Sequence, residues 1–294
     1  MEALFTGCAT ALVTPFHQGE VDWAALDRLV ENQLAGGVSA LVAAGTTGEP
    51  ATMTWKEHMA VVRRVVEKVN HRVPVIAGTG SNSTHEAIAA ARSAKACGAD
   101  AQLVVTPYYN KTSQAGLIAH YRAVADSCDL PVIVYNVPGR TGLNIAPATL
   151  QAICRHPNVI AVKEANPDVG QALEKLRLCG GDAVFYSGND DLVAPLLSCG
   201  FRGVISVLSN VMPAEASHMA SLALTGHSAE AAKMQLRLLP FISALFCETS
   251  PIPVKAAMAR LGLCDEELRL PLVPMQRENR ARMEQVMREL GLID

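Results

Sequence analysis

Short apolar runs rich in valine, isoleucine and alanine recur along the chain at a nearly regular interval of roughly 20 to 34 residues. They occupy residues 9–13, 40–44, 73–77, 101–105, 132–135, 159–162, 183–186 and 203–207. Each run is continuously hydrophobic instead of alternating with polar residues, which is typical of a parallel strand covered on both faces. The interval fits a strand, a loop, a helix and a second loop, so the pattern predicts a β-α unit repeated eight times.

The stretches between the runs have the periodicity of amphipathic helices. Apolar residues recur there at spacings of three and four, and Ser, Thr or Asp often stands near the start, where a helix cap is expected. Helices are predicted at residues 23–33, 55–69, 84–97, 113–127, 147–154, 169–178 and 190–199. Eight β-α units are the number that closes a barrel, so we predict an α/β fold of the (β/α)8 TIM-barrel type with the helices outside.

After the eighth run the strand pattern stops and only helical patterns follow. Helices are predicted at residues 214–225, 229–246, 253–261 and 275–290. We therefore expect a barrel catalytic domain over residues 1–225 and a C-terminal helical domain over residues 226–294. A doubly wound sheet is the main alternative, but it needs a glycine-rich phosphate-binding turn after its first strand, and residues 14–16 do not form one.

Composition argues against several classes of partner. Half of the 294 residues are hydrophobic and the formal net charge is −3, so the chain can bury a large core but has no basic field for a phosphate backbone. Aromatic residues make up only 4%, which leaves few platforms for stacking bases. No apolar run approaches the roughly 18 residues of a membrane span, and the acidic Glu2 is atypical of a secretory signal. We expect no nucleic acid, no membrane and a cytoplasmic location.

The cysteines and histidines form neither a disulfide pattern nor a metal-binding pattern. The cysteines are scattered without a Cys-x-x-Cys pair, at Cys8, Cys97, Cys128, Cys154, Cys179, Cys199, Cys247 and Cys264. This dispersal predicts reduced thiols, mostly buried. His85 lacks the second histidine that a zinc-binding helix places four residues further on, so no metal site is expected.

In a barrel of this type catalytic groups lie at the C-terminal ends of the strands, and Lys163 is the strongest signal there. It is the one lysine of eight that ends an apolar run. Desolvation lowers the pKa of an ammonium group, and the neutral amine can attack a ketone to form a Schiff base. The alternatives are a lysine paired with Glu164 or one that extends past the rim into solvent.

Three other strand ends carry polar groups. The Gly-Thr-Thr-Gly-Glu turn at 45–49 offers hydroxyl and backbone N–H groups that can bind a small carboxylate and transfer a proton, although glycine and threonine are also common in ordinary turns. Tyr109 and Tyr135 can join such a proton relay, or be core residues with hydrogen-bonded hydroxyls. Arg140, in a turn with glycines, can form a forked contact with a substrate carboxylate or lie on the surface.

Six motifs together resemble those of the dihydrodipicolinate synthase family of pyruvate-dependent class I lyases. They are Gly-Thr-Thr-Gly-Glu at 45–49, Thr-Pro-Tyr-Tyr-Asn at 106–110, Tyr-Asn-Val-Pro-Gly-Arg-Thr-Gly at 135–142, Val-Lys-Glu-Ala at 162–165, Gly-Val-Ile-Ser-Val at 203–207 and Pro-Ile-Pro-Val-Lys at 251–255. They follow the order of the family over essentially the whole chain. The resemblance implies that the protein condenses pyruvate with L-aspartate 4-semialdehyde through a lysine Schiff base. The product would be 4-hydroxy-tetrahydrodipicolinate, on the diaminopimelate route to lysine.

The resemblance also implies how the substrates are held. Lys163 would take pyruvate as an imine. Thr47 would hold the pyruvate carboxylate with its hydroxyl and backbone, and the backbone carbonyl of Ile205 would complete that pocket. Arg140 would hold the carboxylate of the semialdehyde. No metal or organic cofactor is required by this chemistry.

Proton transfer and assembly follow from the same resemblance. Thr46, Tyr109 and Tyr135 would relay protons, with the tyrosine that matches Tyr109 reaching into the site of a neighbouring subunit. Members of the family are usually homotetramers built as dimers of tight dimers, so a homotetramer is implied here.

Lysine inhibits many members of the family by binding at the dimer interface. Residues that match the pattern of lysine-sensitive bacterial enzymes are Ala51, His58, Asn82, Glu86 and Tyr108. Pro50 stands where serine is common, and Trp55 replaces a histidine found in some members. Proline has no hydroxyl to offer a ligand, so weak to moderate inhibition by lysine is expected.

Two other functions are consistent with parts of the pattern. A sibling lyase would use the same lysine imine on another 2-keto acid, such as N-acetylneuraminate or a keto-deoxy sugar acid, but its pocket would have to bind sugar hydroxyls where Arg140 favours a carboxylate. A non-catalytic keto-acid sensor would not need Lys163, Tyr135, Tyr109 and both threonines of the turn. Trapping of a pyruvate imine by borohydride separates either lyase from such a sensor.

Overall fold

Eight parallel strands close into a barrel in the computed structural model, which describes residues 2–294. The described residues form ten strands in all, which are β1 (Gly7–Ala11), β2 (Phe16–His17), β3 (Glu20–Val21), β4 (Ala40–Ala43), β5 (Val75–Gly78), β6 (Ala101–Val105), β7 (Val132–Asn136), β8 (Val159–Glu164), β9 (Val184–Ser187) and β10 (Gly203–Ser206). The barrel consists of β1 and β4 to β10, paired in chain order, and β1 closes it by pairing with both β10 and β4. The predicted (β/α)8 TIM barrel is confirmed.

Helices surround the barrel and continue beyond its last strand. They are α1 (Trp23–Ala35), α2 (Trp55–Val69), α3 (Thr84–Ala96), α4 (Gln114–Asp126), α5 (Pro138–Thr141), α6 (Pro147–Cys154), α7 (Val169–Cys179), α8 (Val193–Ser198), α9 (Pro213–Leu224), α10 (Ser228–Leu245), α11 (Ile252–Arg260) and α12 (Arg277–Glu289). Several begin at a capping side chain, as their sequences predict. At α2 the capping is reciprocal, because Thr54 accepts from the Glu57 N–H and Glu57 accepts from the Thr54 N–H.

Side chains fill both faces of the barrel sheet, which explains why the strands are hydrophobic throughout. Inside the barrel lie residues such as Ala9, Ile76, Ile133 and Ile205, while the opposite faces of the strands pack against the helices. Successive side chains of a strand point to opposite faces. In β8 this alternation sends Lys163 toward the interior and Glu164 toward the helices.

The C-terminal helices pack into the same apolar core that lies between the strands and the outer helices. Leu238 and Phe241 of α10 and Met283 and Met287 of α12 are almost completely buried there. The core is therefore continuous from the barrel to the end of the chain. The domain boundary between residues 225 and 226 stays a prediction.

The structure differs from the sequence prediction in local details. The β2–β3 hairpin and the helical turn α5 were not predicted, because two strands of two residues and a helix of four have no measurable periodicity. The helix predicted over residues 190–199 is a 3-10 turn over Asp190–Leu192 followed by the shorter α8. Asp190 turns its carboxylate inward to backbone N–H groups of Val207 and Leu208 instead of capping a helix.

All eight cysteines are free thiols, but fewer are buried than expected. Four are buried, two are half-buried, and Cys199 and Cys247 are exposed. Both exposed thiols lie in segments that end helices, where the apolar periodicity no longer predicts burial. Among residues 2–294, no helix combines the length and the apolar character needed to cross a membrane.

Candidate active site

A cavity of about 870 Å³ opens at the C-terminal ends of the barrel strands. Thr46, which follows β4, Tyr135 near the end of β7, and Arg140 in α5 all line it. Parallel strands bring their C-terminal ends to one rim, so residues far apart in sequence meet here. The cavity is therefore the candidate site, because residues from different strand ends line it together.

Lys163 does not line this cavity itself but lies against Tyr135, which does. Its side chain is almost completely buried, and its Nζ is 4.4 Å from the centroid of the Tyr135 ring. The pKa of the Lys163 ammonium is lowered to about 8, chiefly by burial; the charge of Asp190 opposes this shift and the charge of Arg140 adds to it. The neutral amine that a nucleophile requires is therefore a minor fraction at neutral pH and predominates above a pH of about 8.

Glu164 is not the partner of Lys163. Its carboxylate points away from the barrel interior and accepts a hydrogen bond from Lys175 Nζ at 2.7 Å, in an ion pair whose two side chains are completely buried. Asn136 donates to the other carboxylate oxygen at 2.7 Å. The structure therefore excludes both alternatives raised for Lys163, pairing with Glu164 and extension into solvent.

Gly188 was not predicted from the sequence, yet it adjoins Lys163. A Cβ at this position would lie 3.0 Å from Lys163 Cε and 2.7 Å from the Ala165 Cβ. The Gly188 N–H donates to the Glu164 carbonyl at 2.7 Å, which fixes the end of β9 against β8. The glycine directly after the β9 run was the available signal, since glycine permits close approach at a strand end.

The turn after β4 presents the two threonines in different environments. Residues Thr46–Gly48 form a single 3-10 turn in which Thr46 is half-buried at the cavity and Thr47 is buried. The Thr14 hydroxyl donates to the Gly48 carbonyl at 2.8 Å and supports the turn from below. A Cβ on Gly78 would lie 2.1 Å from the carbonyl oxygen of Ala44, so only glycine lets β5 approach the start of the turn.

Tyr135 is a proton donor throughout the physiological range. Burial raises the pKa of its hydroxyl to about 12, although the Arg140 charge and the nearby Thr46 hydroxyl both act to lower it. The Thr46 hydroxyl thus lies near the Tyr135 hydroxyl, and the Tyr135 ring lies against Lys163.

Arg140 projects from α5 at the rim of the cavity. One guanidinium nitrogen, Nη2, donates to the Ser250 carbonyl at 2.9 Å. The remaining N–H groups are available to a bound carboxylate, for which the planar fork of arginine is well suited. The pKa values of both Lys163 and Tyr135 respond to the charge of Arg140, so the three groups form one electrostatic unit.

Tyr109 and Ile205 lie elsewhere. The Tyr109 side chain is 90% exposed on a backbone with φ of 67°, and it does not line the cavity of its own chain. Ile205 is completely buried in β10 with its side chain in the barrel interior. Within one chain, the structure therefore brings together Lys163, Tyr135 and Thr46 but not Tyr109.

Asp190 is a second residue that the sequence prediction missed as part of the site. Its Oδ2 accepts from the N–H groups of Val207 and Leu208 at 2.9 Å each, and its Oδ1 has no hydrogen-bond partner in the part of the chain that is described. Burial raises the pKa of this carboxyl, and the charge of Lys163 acts in the opposite direction. An acidic residue after a strand is also typical of a helix start, so the sequence pattern alone does not distinguish the two roles of Asp190.

The residues expected to bind lysine are near the same cavity. Ala51, His58, Glu86 and Tyr108 line it, whereas Asn82 does not. Asn82 instead accepts a hydrogen bond at its carbonyl from the Asn110 side chain at 3.0 Å. His58 Nε2 lies 2.8 Å from the Gly78 carbonyl, and burial lowers the pKa of His58. Pro50 and Trp55, which depart from the lysine-sensitive pattern, also line this cavity.

The described residues do not cluster metal-binding side chains at this site. Over residues 2–294 no three His, Cys, Asp or Glu side chains come together in a way that could hold a metal ion.

The chain is similar to known proteins over nearly its whole length. Residues 4–290 match the model of the Dihydrodipicolinate synthetase family. The 4-hydroxy-tetrahydrodipicolinate synthase of Citrifermentans bemidjiense is 49% identical over 290 residues, which cover 99% of this chain and 100% of the relative.

Solved structures have the same fold. The chloride-inhibited dihydrodipicolinate synthase of Acinetobacter baumannii, in complex with pyruvate, matches with a TM-score of 0.96 and 40% identity over 98% of this chain and 99% of that one. The enzyme of Cyanidioschyzon merolae, with lysine bound, matches with a TM-score of 0.96 and 40% identity over 99% of this chain and 100% of that one.

Proposed function

The chain belongs to the dihydrodipicolinate synthetase family, and on that premise we propose that it condenses pyruvate with L-aspartate 4-semialdehyde to 4-hydroxy-tetrahydrodipicolinate. This lyase reaction lies on the diaminopimelate route to lysine. The observation that carries the proposal is the buried Lys163 amine, which has a lowered pKa and lies against the Tyr135 ring beside a cavity lined by Arg140.

Lys163 attacks the ketone carbon of pyruvate in this proposal. The neutral amine adds to the carbonyl, and loss of water from the resulting carbinolamine gives an iminium ion. Tyr135, protonated because of its raised pKa, supplies the proton that lets the water leave, and Thr46 is close enough to return one. The iminium ion withdraws electrons from C3, and the C3 proton passes to the Tyr135 oxygen that gave up its own proton, which leaves an enamine.

The enamine carbon then attacks the semialdehyde aldehyde, and a C–C bond forms while the aldehyde oxygen takes up a proton. The amino group of the semialdehyde next attacks the iminium carbon. This step closes the ring and breaks the bond to Lys163, whose amine is released unchanged. All atoms come from the two substrates, so no further reactant is needed.

Two carboxylates have to be held apart in this reaction. We assign the pyruvate carboxylate to the hydroxyl and backbone N–H of Thr47, with the Ile205 carbonyl completing that pocket, and the semialdehyde carboxylate to Arg140. The available guanidinium N–H groups of Arg140 at the cavity rim support the second assignment.

The relay needs a third group, and we propose that Tyr109 of a neighbouring subunit supplies it. Its 90% exposure and its absence from the cavity of its own chain support this proposal. Trp55 and Tyr108 are both exposed, line the same cavity and offer apolar area to a partner. We propose a homotetramer, a dimer of tight dimers, for which sedimentation velocity is the test.

We propose lysine as an inhibitor that binds near Ala51, His58, Asn82, Glu86 and Tyr108. Four of these residues line the cavity that also contains Arg140, and a related enzyme has been solved with lysine bound. Because Pro50 has no hydroxyl to donate, we expect weak to moderate inhibition. A lysine titration tests this, and an unchanged rate at millimolar lysine contradicts it.

The reaction is tested by consumption of the semialdehyde with pyruvate, coupled to dihydrodipicolinate reductase and measured as nucleotide oxidation. Lys163→Ala is the control and should lose activity entirely. Borohydride reduction with pyruvate should add one pyruvate-derived mass at Lys163. Trapping without turnover would assign the chain to a sibling lyase, and the absence of trapping would refute the imine.

Cell fractionation tests the cytoplasmic location that this biosynthetic role supports.

A further inference from the structure

The turn that contains Thr46 and Thr47 is strained at both ends. Ala44 has a φ of 50° and Glu49 a φ of 56°, both in the left-handed region. Residues with a Cβ keep this conformation only where their surroundings impose it. The contacts of Glu49 therefore decide whether the turn keeps its shape.

Glu49 ends the turn and is bonded to it directly. Its N–H donates to the Thr46 carbonyl at 3.2 Å, and its own carbonyl accepts from the N–H and the hydroxyl of Thr52 at 3.2 Å each. Its carboxylate is buried. A movement of Glu49 would thus move the two threonines as well.

The carboxylate of Glu49 is held by a residue of the C-terminal helices. Lys255 of α11 donates from Nζ to Glu49 Oε1 at 2.5 Å, and the Arg269 N–H donates to Oε2 at 3.4 Å. Both charged groups of the pair are shielded from water, with side-chain exposures of 0% and 1%. A buried charge is strongly disfavoured without its partner, so the pair ties the turn to α11.

Lys255 is itself fixed in place by other contacts. Its Nζ donates to the Glu267 carbonyl at 2.8 Å and lies 4.3 Å from the centroid of the Phe16 ring. The Arg269 guanidinium lies at the same distance from that ring centroid and also binds Glu57. The ammonium group therefore has one well-defined position from which to hold Glu49.

The segment that leads into α11 makes a second contact with the site, through the Ser250 carbonyl that accepts from Arg140. The same region of the C-terminal helices thus supports both groups to which we assign substrate carboxylates. We propose that Lys255 is a positioning residue, which fixes the Thr46–Thr47 turn for pyruvate binding through its buried ion pair with Glu49. This inference rests on the function proposed above.

The test compares pyruvate binding in Lys255→Met and in the double variant Glu49→Gln/Lys255→Met. The second variant leaves no unpaired buried charge, so it carries the test if the single variant does not fold. The readout is the half-saturating pyruvate concentration for borohydride trapping at Lys163, followed by mass spectrometry. We expect this concentration to rise at least tenfold in both variants, with trapping at saturation retained.

A destabilised control separates positioning from stability. Met283→Ala opens a cavity in α12, away from the turn, and should lower the melting temperature without changing the half-saturating pyruvate concentration. The inference is overturned if the double variant binds pyruvate like the wild type, or if Met283→Ala weakens binding equally. Failure of the wild type to trap pyruvate would instead refute the proposed function.

Discussion

At the scale of single residues, the environment of Lys163 depends on the absence of a side chain at position 188. Because a Cβ there would lie 3.0 Å from Lys163 Cε, we expect Gly188→Ala to displace the lysine chain. A displacement of about 1 Å in a catalytic group can reduce the rate about 100-fold, so we expect kcat to fall between about 10-fold and 100-fold. Steady-state kinetics measures this.

Gly181→Ala is the matched control, since a Cβ there meets no atom within 4 Å. It should leave kcat unchanged. Wild-type kinetics in a folded Gly188→Ala variant would show that the lysine chain tolerates the displacement.

The lowered pKa of Lys163 predicts a pH dependence for imine formation. Below its pKa of about 8 the amine is protonated and cannot attack, so the trapping rate with pyruvate should rise with pH and level off above that value. Cyanoborohydride trapping over a pH series measures the rate. Arg140 lowers the pKa of Lys163, so Arg140→Met should move the midpoint to higher pH. A rate independent of pH across this range would contradict the prediction.

At the scale of the elements, the barrel was predictable because each strand is covered on both faces and is therefore hydrophobic without interruption. Lys163 was predictable for the same reason, as a charge at the end of such a run. Gly188, Asp190 and Lys255 were not, because each acts through a contact with a residue distant in sequence. Lys255 lies in a motif noticed by resemblance, but only the fold reveals that its partner is Glu49.

A buried ion pair between Glu164 of β8 and Lys175 of α7 connects these two elements. Lys175→Met would leave the buried Glu164 carboxylate without its counter-charge, and breaking such a pair costs about 3–5 kcal/mol. We expect a clear fall in melting temperature, measured by differential scanning fluorimetry. The double variant Glu164→Gln/Lys175→Met removes both charges and should regain most of the loss. A single variant that melts with the wild type would show that water reaches the carboxylate.

At the scale of the whole molecule, one chain holds an incomplete set of the groups proposed for proton transfer. Lys163, Thr46 and Tyr135 meet within the barrel mouth, whereas Tyr109 projects outward on a left-handed backbone. An exposed tyrosine held in this way has no function within its own chain that the structure reveals. If neighbouring subunits share a site, variants inactive at Lys163 and at Tyr109 can complement each other, whereas a site within one chain does not allow this.

Two inactive variants should restore activity to each other when they assemble together. In a mixed dimer of Lys163→Ala and Tyr109→Phe, one site combines the Lys163 of one subunit with the Tyr109 of the other and is intact. Random pairing makes half of the dimers mixed, with one intact site in two, so co-expression should give about a quarter of wild-type activity. The coupled assay measures it. Each variant alone must remain nearly inactive, and a mixture no more active than the sum of its parts would place Tyr109 outside the shared site.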